Sequence, residues 1–286
     1  LGAKGGRTMQ SKRDRLFQEA EGLHAMRCPV CGGALARQGE CLACAQGHTR
    51  DVNRKGYVHL LSRPHPTYYD QELFQARRQV FASGCYLPVV EAVEELLPEG
   101  PQRILDAGCG EGYYLAQLLS RHPAWQGAGV DISKEAIEKA TDWPCEAVWC
   151  VGDLGRLPFA EGAFTAVLDV LTPANYGEFR RVLALGGRLV KVYPGPEYLQ
   201  EIRRARHMPL YEDAEVGEYL SAHCHVEARR HVHVHVPVTP ELWRAFVWMT
   251  PLNQDLPPAQ KEAQAAHPAE TVTLDLHLAA GTMPTE

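Results

Sequence analysis

Apolar residues recur at helical spacing from Asp70 to about Leu97, and Gly84 and Pro88 divide that stretch into two predicted helices. Beyond the Pro98–Pro101 turn the period changes to alternation. Short apolar strands are predicted at Arg103–Ala107, Ala128–Ile132, Ala147–Val151, Ala166–Leu171 and Arg188–Val192, with helices between them at Tyr113–Ser120, Lys134–Ala140, Tyr176–Ala184 and Pro196–Arg206. Strands alternating with helices imply a parallel sheet covered on both faces. Two more alternating segments, Glu227–Val238 and Thr271–Leu278, complete the sheet, with a helix near Leu242–Met249. Residues 1–25 are polar and charged. Arg15–Leu23 has the length of a short helix, but the segment reads as a loose extension, with Met26 as a plausible natural beginning.

Length and composition bound this picture. The 286 residues, 45% of them hydrophobic, suit a globular chain with one large domain and something smaller. The expected division is a flexible extension over 1–25, a metal-binding module over 26–66, linker helices over 67–98 and an α/β domain over 99–286. No apolar run reaches the roughly 18–20 residues that span a bilayer, and the first 25 residues contain no apolar signal core, so a cytoplasmic protein without a membrane partner is expected. The net charge of −6 speaks against nucleic acid until it is divided: residues 1–80 hold 13 basic and 7 acidic residues, net +6, and the remainder holds 16 and 28, net −12. One end of the chain has the charge to face phosphate.

Four of the nine cysteines fall within 17 residues, as Cys28-Pro29-Val30-Cys31 and Cys41-Leu42-Ala43-Cys44, with His48 following. Clustered pairs in a chain expected in a reducing compartment read as metal ligands, and two knuckles suit tetrahedral zinc. Cys28, Cys31 and Cys44 are common to every arrangement. The fourth ligand is Cys41 or His48, and paired CxxC spacing alone slightly favours Cys41. A module too short to bury its own core needs the ion as a structural staple, and a closed site leaves no position for catalysis.

Ile104-Leu105-Asp106-Ala107-Gly108-Cys109-Gly110-Glu111-Gly112 is an apolar strand that ends in a glycine turn and opens a helix. Glycines there let backbone amides approach a ligand at a helix N-terminus. Asp131 ends the next strand, where a carboxylate accepts from ribose hydroxyls, and Asp153 ends the third. A dinucleotide site would ask for GxGxxG and would tolerate Asp106 poorly beside pyrophosphate. A ligand with a cationic amino-acid end and a ribose, S-adenosylmethionine, fits better.

Taken together, the chain from Arg27 onward resembles the bacterial 23S ribosomal RNA (guanine-N1)-methyltransferases. The resemblance rests on Cys-Pro-x-Cys with CxxxH, Lys55-Gly56-Tyr57-Val58-His59-Leu60-Leu61, Ala76-Arg77-Arg78, the loop from Asp106 to Tyr114, Asp131-Ile132-Ser133-Lys134, Pro194-Gly195-Pro196 and Met249-Thr250-Pro251. It implies a Rossmann-like methyltransferase fold with a mostly parallel seven-stranded sheet and a small N-terminal zinc module. It implies His48 as fourth zinc ligand, with Cys41 an extra thiol. It adds cofactor contacts from Tyr86, Tyr114, Leu115 and Tyr198 to those expected from Asp106, Gly108, Gly110, Asp131, Ile132 and Asp153. Tyr198 stands where the family has histidine, Cys85 likewise replaces a histidine, and Ala184-Leu185 replaces Lys-Pro. A homodimer is implied, as is membership of a family whose branches modify neighbouring guanines of one hairpin and in some cases confer macrolide resistance.

Guanine N1 carries a proton at neutral pH, so methylation needs a proton acceptor. Asp169, at the end of the fourth core strand, is the candidate base, weighed against a capping or loop carboxylate, which is the favoured reading. N1 lies on the Watson–Crick edge, so an unpaired hairpin-loop guanine is the expected substrate, with Arg50, Arg54, Lys55, Arg77 and Arg78 on the RNA backbone. His223, His225, His231, His233 and His235 offer a second metal site, but an amphipathic strand with Val232, Val234 and Val236 inward is favoured, and Trp243 and Trp248 read as core. Two other functions remain open: a methyltransferase of a small molecule, and a noncatalytic zinc-dependent RNA-binding protein.

Overall fold

The computed structural model describes residues 10–61, 71–212 and 214–284. The expected boundary between residues 66 and 67, and the start of the first linker helix at Asp70, lie outside them. In chain order the elements are α1 (Lys12–Leu23), β1 (Ala36–Gln38), β2 (Cys41–Ala43), β3 (Thr49–Asp51), β4 (Tyr57–His59), α2 (Gln71–Ala82), α3 (Leu87–Leu96), β5 (Arg103–Ala107), α4 (Tyr113–Arg121), β6 (Gln126–Asp131), α5 (Lys134–Ala140), β7 (Val148–Val151), β8 (Phe164–Val170), α6 (Tyr176–Val182), β9 (Leu183–Pro194), α7 (Gln200–Ala205), α8 (Ala214–His223), β10 (His225–Pro237), α9 (Pro240–Met249), α10 (Pro258–Ala265) and β11 (Thr271–Thr282).

The large sheet runs β10-β11-β9-β8-β5-β6-β7-β4. Pairings from β9 through β4 are parallel, and β11 lies antiparallel between β9 and β10. Central strands are buried on both faces, so the alternation expected beyond Pro101 gives way there to nearly continuous burial. Ile104, Leu168 and Val190 join one apolar cluster with side chains of α3, α4 and α9. Leu105, Val167 and Leu189 join the other with α1, α6 and α8.

Two expectations are corrected. Among the described residues the sheet has eight strands rather than seven, because β4, from the metal module, pairs with β7 through Tyr57↔Trp149 and His59↔Val151. Its Tyr57 and Val58 are buried, and the pairing of β4 covers the edge that β7 would otherwise leave open. The expected loose extension contains α1, whose Leu16, Phe17, Ala20 and Leu23 are buried at helical spacing. Ser11 caps this helix, and Lys12 Nζ donates to the carbonyl of Thr141 at 2.7 Å. Helices α8 and α10 have no counterpart among the expected elements; α8 buries only Leu220, so its apolar stripe is too thin to read.

Candidate functional site

Strands β1, β2 and β3 form a three-stranded ribbon of three residues each, most of them exposed. Such strands are too short to hold themselves in place. The knuckle around Gly32 and the turn at Gly47, both in left-handed conformations, bring Cys28, Cys31, Cys44 and His48 together with their ligand atoms within 4.8 Å of one another. The sulfurs of Cys31 and Cys44 are 3.6 Å apart, and His48 Nδ1 lies 3.4 Å from Cys44 Sγ. Burial works against the Cys44 thiolate, but amide donors at Gln46 and His48 bring its pKa down to about 6, which suits a zinc ligand. Cys41 instead turns to the carbonyl of Gln38. Strand geometry decides between the two readings left by spacing: Cys41 belongs to β2 and His48 follows the turn that returns the chain to the knuckle.

The glycine turn after β5 builds a second centre. Gly108, Gly110 and Gly112 all have positive φ. A Cβ at Gly108 would stand 2.6 Å from Thr172 Oγ1, and one at Gly112 would strike the Trp149 ring at 2.5 Å, so close packing as well as φ demands glycine. A cavity beside this turn is walled by Tyr86, Gly108, Gly110, Tyr114, Asp131 and Tyr198 among others, six of the ten expected cofactor residues. Asp131 accepts from the Gly110 amide with one oxygen and from the Ser133 amide with the other, both at 2.8 Å, which fixes its orientation while leaving lone pairs for a diol. The Tyr86 and Tyr198 hydroxyls bond each other at 2.7 Å, and burial raises both phenols, so two O–H donors serve one mutual bond and one remains.

Asp106 lies under the turn, 1% exposed, with Oδ2 lacking a partner among the described residues. Desolvation first, and then the Asp131 charge, push its pKa up to about 7. A buried carboxylate with an orphaned oxygen fits a cationic ligand group and fits pyrophosphate badly. Leu115 contributes its amide near Asp106, while its side chain is buried. Ile132 is half-buried behind Asp131, and Asp153 turns outward, its carboxylate accepting from the Gly155 amide. Neither wall of the cavity includes Ile132 or Asp153.

A larger cavity of about 590 Å3 opens beyond the ends of β8 and β9 and shares Leu171 and Thr172 with the first. Leu171 sits in the left-handed region at φ 55°, a strained conformation for a bulky residue, and it swings the chain so that the Thr172 carbonyl meets Lys191 Nζ at 2.6 Å. Lys191 Nζ also donates to Asp169 Oδ2 at 2.8 Å. Asp169 is therefore neither an exposed base nor a helix cap; it is a fully buried strand residue, raised by desolvation to about 6 even though Lys191 opposes the shift.

Among the expected RNA-facing cations, Arg77 lies instead at the first cavity, over Gly110 and 5.6 Å from the Phe81 ring centre. Arg78 covers Trp143, and Lys55 pairs with Glu138 at 2.7 Å. In the histidine run the valines point inward as expected; His231 meets Asp275 at 2.6 Å and His233 meets Glu197 at 2.9 Å. The five histidines do not converge. His231 groups with Asp275 and His277 instead, their ligand atoms within 4.8 Å, and His277 belongs to β11, which the run alone could not reveal. Trp243 and Trp248 are buried, as expected. Sequence reasoning missed Arg77, Lys191 and Leu171 as cavity residues, because only the fold brings α2 over the glycine turn and β9 beside β8. No helix among the described residues is long and apolar enough to cross a membrane.

Comparison with known proteins agrees with this geometry. Residues 26–65 match a zinc-ribbon model described as RlmA, N-terminal, and residues 104–191 match a methyltransferase-domain model. A protein of Micromonospora griseorubida assigned as a 23S rRNA (guanine-N(1)-)-methyltransferase is 33% identical over 276 residues, which cover 87% of this chain and 93% of that one. A Bacillus subtilis (strain 168) protein with the same assignment is 40% identical over 62% of this chain and 67% of its own length. The 23S rRNA (guanine(748)-N(1))-methyltransferase of Streptomyces fradiae is 35% identical over 62% of this chain and 66% of its own. Because the Micromonospora protein is 33% identical across 87% of this chain and 93% of its own length, the chain belongs to the 23S rRNA (guanine-N1)-methyltransferase family.

Proposed function

We propose that this protein transfers a methyl group from S-adenosylmethionine to N1 of a guanine in a hairpin loop of 23S ribosomal RNA. The observation that carries the reading is the meeting of two cavities at Leu171 and Thr172, one with the donors and carboxylates for an amino-acid and ribose ligand, the other large enough for a nucleobase. When bound, the cofactor supplies an already activated methyl, whose bonding pair stays on sulfur while N1 gains the carbon and loses its proton.

The chain's own task is to bind and orient. Asp106 holds the cationic amino end, and Arg77 with the Tyr86–Tyr198 pair faces the carboxylate. Asp131 receives the ribose hydroxyls. The zinc ribbon, with Arg50 and Arg54, lies on the basic part of the chain and grips RNA phosphates, with affinity that falls as salt rises. Incubating unmodified 23S rRNA with the protein and cofactor, then digesting to nucleosides, tests the reading: 1-methylguanosine is the expected product. Methylation at another atom, or none from protein shown by calorimetry to bind the cofactor, overturns it. The name of the Streptomyces fradiae relative makes guanine 748 the first position to inspect.

A further inference from the structure

The larger cavity has a chemistry of its own. Four phenol rings, Tyr176, Tyr193, Tyr211 and Tyr219, stand in its wall, with Tyr176 and Tyr219 centred 5.6 Å apart. Flat, partly polar rings are the surfaces on which extruded bases stack. At its inner wall is Lys191, whose side chain is 7% exposed. An ammonium has three donors. Two are spent inside the protein, on Asp169 Oδ2 at 2.8 Å and on the Thr172 carbonyl at 2.6 Å, and these fixed bonds leave the third for the cavity that Lys191 lines. Thr172 also walls the cofactor cavity, so Lys191 is tied to the junction where a methyl would cross.

We infer that this cavity is the nucleobase site for a 6-oxopurine, with Lys191 Nζ donating to O6 and Asp169 acting as the positioning residue that holds Lys191; the inference rests on the methyltransferase reading above. An ammonium matches the O6 acceptor of guanine and opposes the N6 amino group of adenine. When N1 loses its proton, the electron pair left behind is shared with O6, and the ammonium stabilises that oxyanion as a fixed donor. The proton passes to water at the mouth, where Glu215 is exposed. The charged and titratable groups that surround Lys191 are Asp169 from β8, Tyr193 from its own strand, Tyr176 from α6, Glu215 and Tyr219 from α8, and Tyr211 just before α8.

Replacing Lys191 alone would strand the Asp169 charge, so the test uses the paired D169N/K191M variant beside K191R, with cofactor binding by calorimetry as the check on folding. The pair is expected to lower kcat on hairpin RNA at pH 7 by about 10²–10³-fold, with KM rising by no more than about tenfold. Without the ammonium the bound N1 is less acidic, so the pH–rate profile moves to higher pH, and K191R restores most of the rate. A second readout needs no turnover: wild-type protein binds the guanine hairpin at least about tenfold more tightly than the same hairpin with adenosine at the target, and the paired variant binds both alike. An unmoved pH profile with discrimination retained overturns the inference. Failure of the wild-type protein to form any 1-methylguanosine overturns the functional reading itself, and with it this one, and is recognised by its independence of Lys191.

Discussion

The zinc ribbon and the large sheet hold strands in place by different means. Each ribbon strand has three residues, β1 is exposed throughout, and the four side chains of Cys28, Cys31, Cys44 and His48, gathered to hold one ion, take the place of a core. In the sheet, Ile104, Leu105, Val167 and Leu189 are wholly buried, and removal of apolar surface from water does the same work. The two regions are nonetheless joined: β4 extends the sheet, Met26 pairs with Phe159, and Leu42 and Val52 of the ribbon share the cluster of α1 and β7. The cavity beside the glycine turn nevertheless takes none of its lining residues from the ribbon, so loss of the metal is expected to disturb the ribbon first and that cavity least.

The strongest test of that separation is to remove the metal. Cys44→Ser or a chelator should release one zinc per chain and unfold the ribbon, since structural zinc contributes on the order of 10 kcal/mol to such modules. RNA affinity should fall on the order of 100-fold as ordered basic contacts are lost, while cofactor affinity by calorimetry stays nearly unchanged. Equal loss of both would mean that ribbon and sheet form one cooperative unit.

Asp106→Asn probes the other region. Its carboxyl is raised by burial to about 7, so the folded state holds that proton more tightly than the unfolded chain. The stability this contributes is full below about pH 4 and is lost as pH rises through 7, roughly three units or about 4 kcal/mol at most. Melting curves should show Asn stabilising the protein at pH 8 and not at pH 4, while cofactor binding weakens. In the wild-type protein, cofactor affinity should drop as pH falls below 7, with proton release on binding at pH 6; pH-independent affinity would contradict the pairing of Asp106 with a cationic group.

A smaller effect is expected at Gly112→Ala, where φ is +77° and the new Cβ meets Trp149. Strain and overpacking should cost about 1–3 kcal/mol in denaturant melts. The smallest is Lys55→Ala. Its pair with Glu138 is more than half exposed on the lysine side, so stability should change by less than about 1 kcal/mol, measurable as a small shift that vanishes at high salt.

Much of the core was legible because its strands and helices repeat one local rule. Arg103–Ala107 and Lys134–Ala140 were read to the residue, since an apolar run ending in glycine, and a Ser133 cap before an amphipathic turn, are signals carried by adjacent residues. The zinc set was legible as three ligands, and the choice of His48 over Cys41 needed either family resemblance or the ribbon's register. α1 was misread because its many charges obscure a stripe of only four buried residues. The Lys191–Asp169 pair was invisible as a pair: the two lie 22 positions apart and become neighbours only through the parallel pairing Asp169↔Lys191 of β8 and β9. Its place at a strand end offers Asp169 as a candidate base or, by the favoured reading, a capping or loop carboxylate, and no neighbouring residue announces the lysine beside it.

The central claim, that one guanine N1 of a 23S hairpin loop is methylated, is tested most directly by reverse transcription across 23S rRNA treated with protein and S-adenosylmethionine. N1-methylguanine blocks pairing, so a single new, cofactor-dependent stop is expected next to a loop guanine. No stop anywhere on the RNA, from zinc-loaded protein that binds the cofactor, would contradict it.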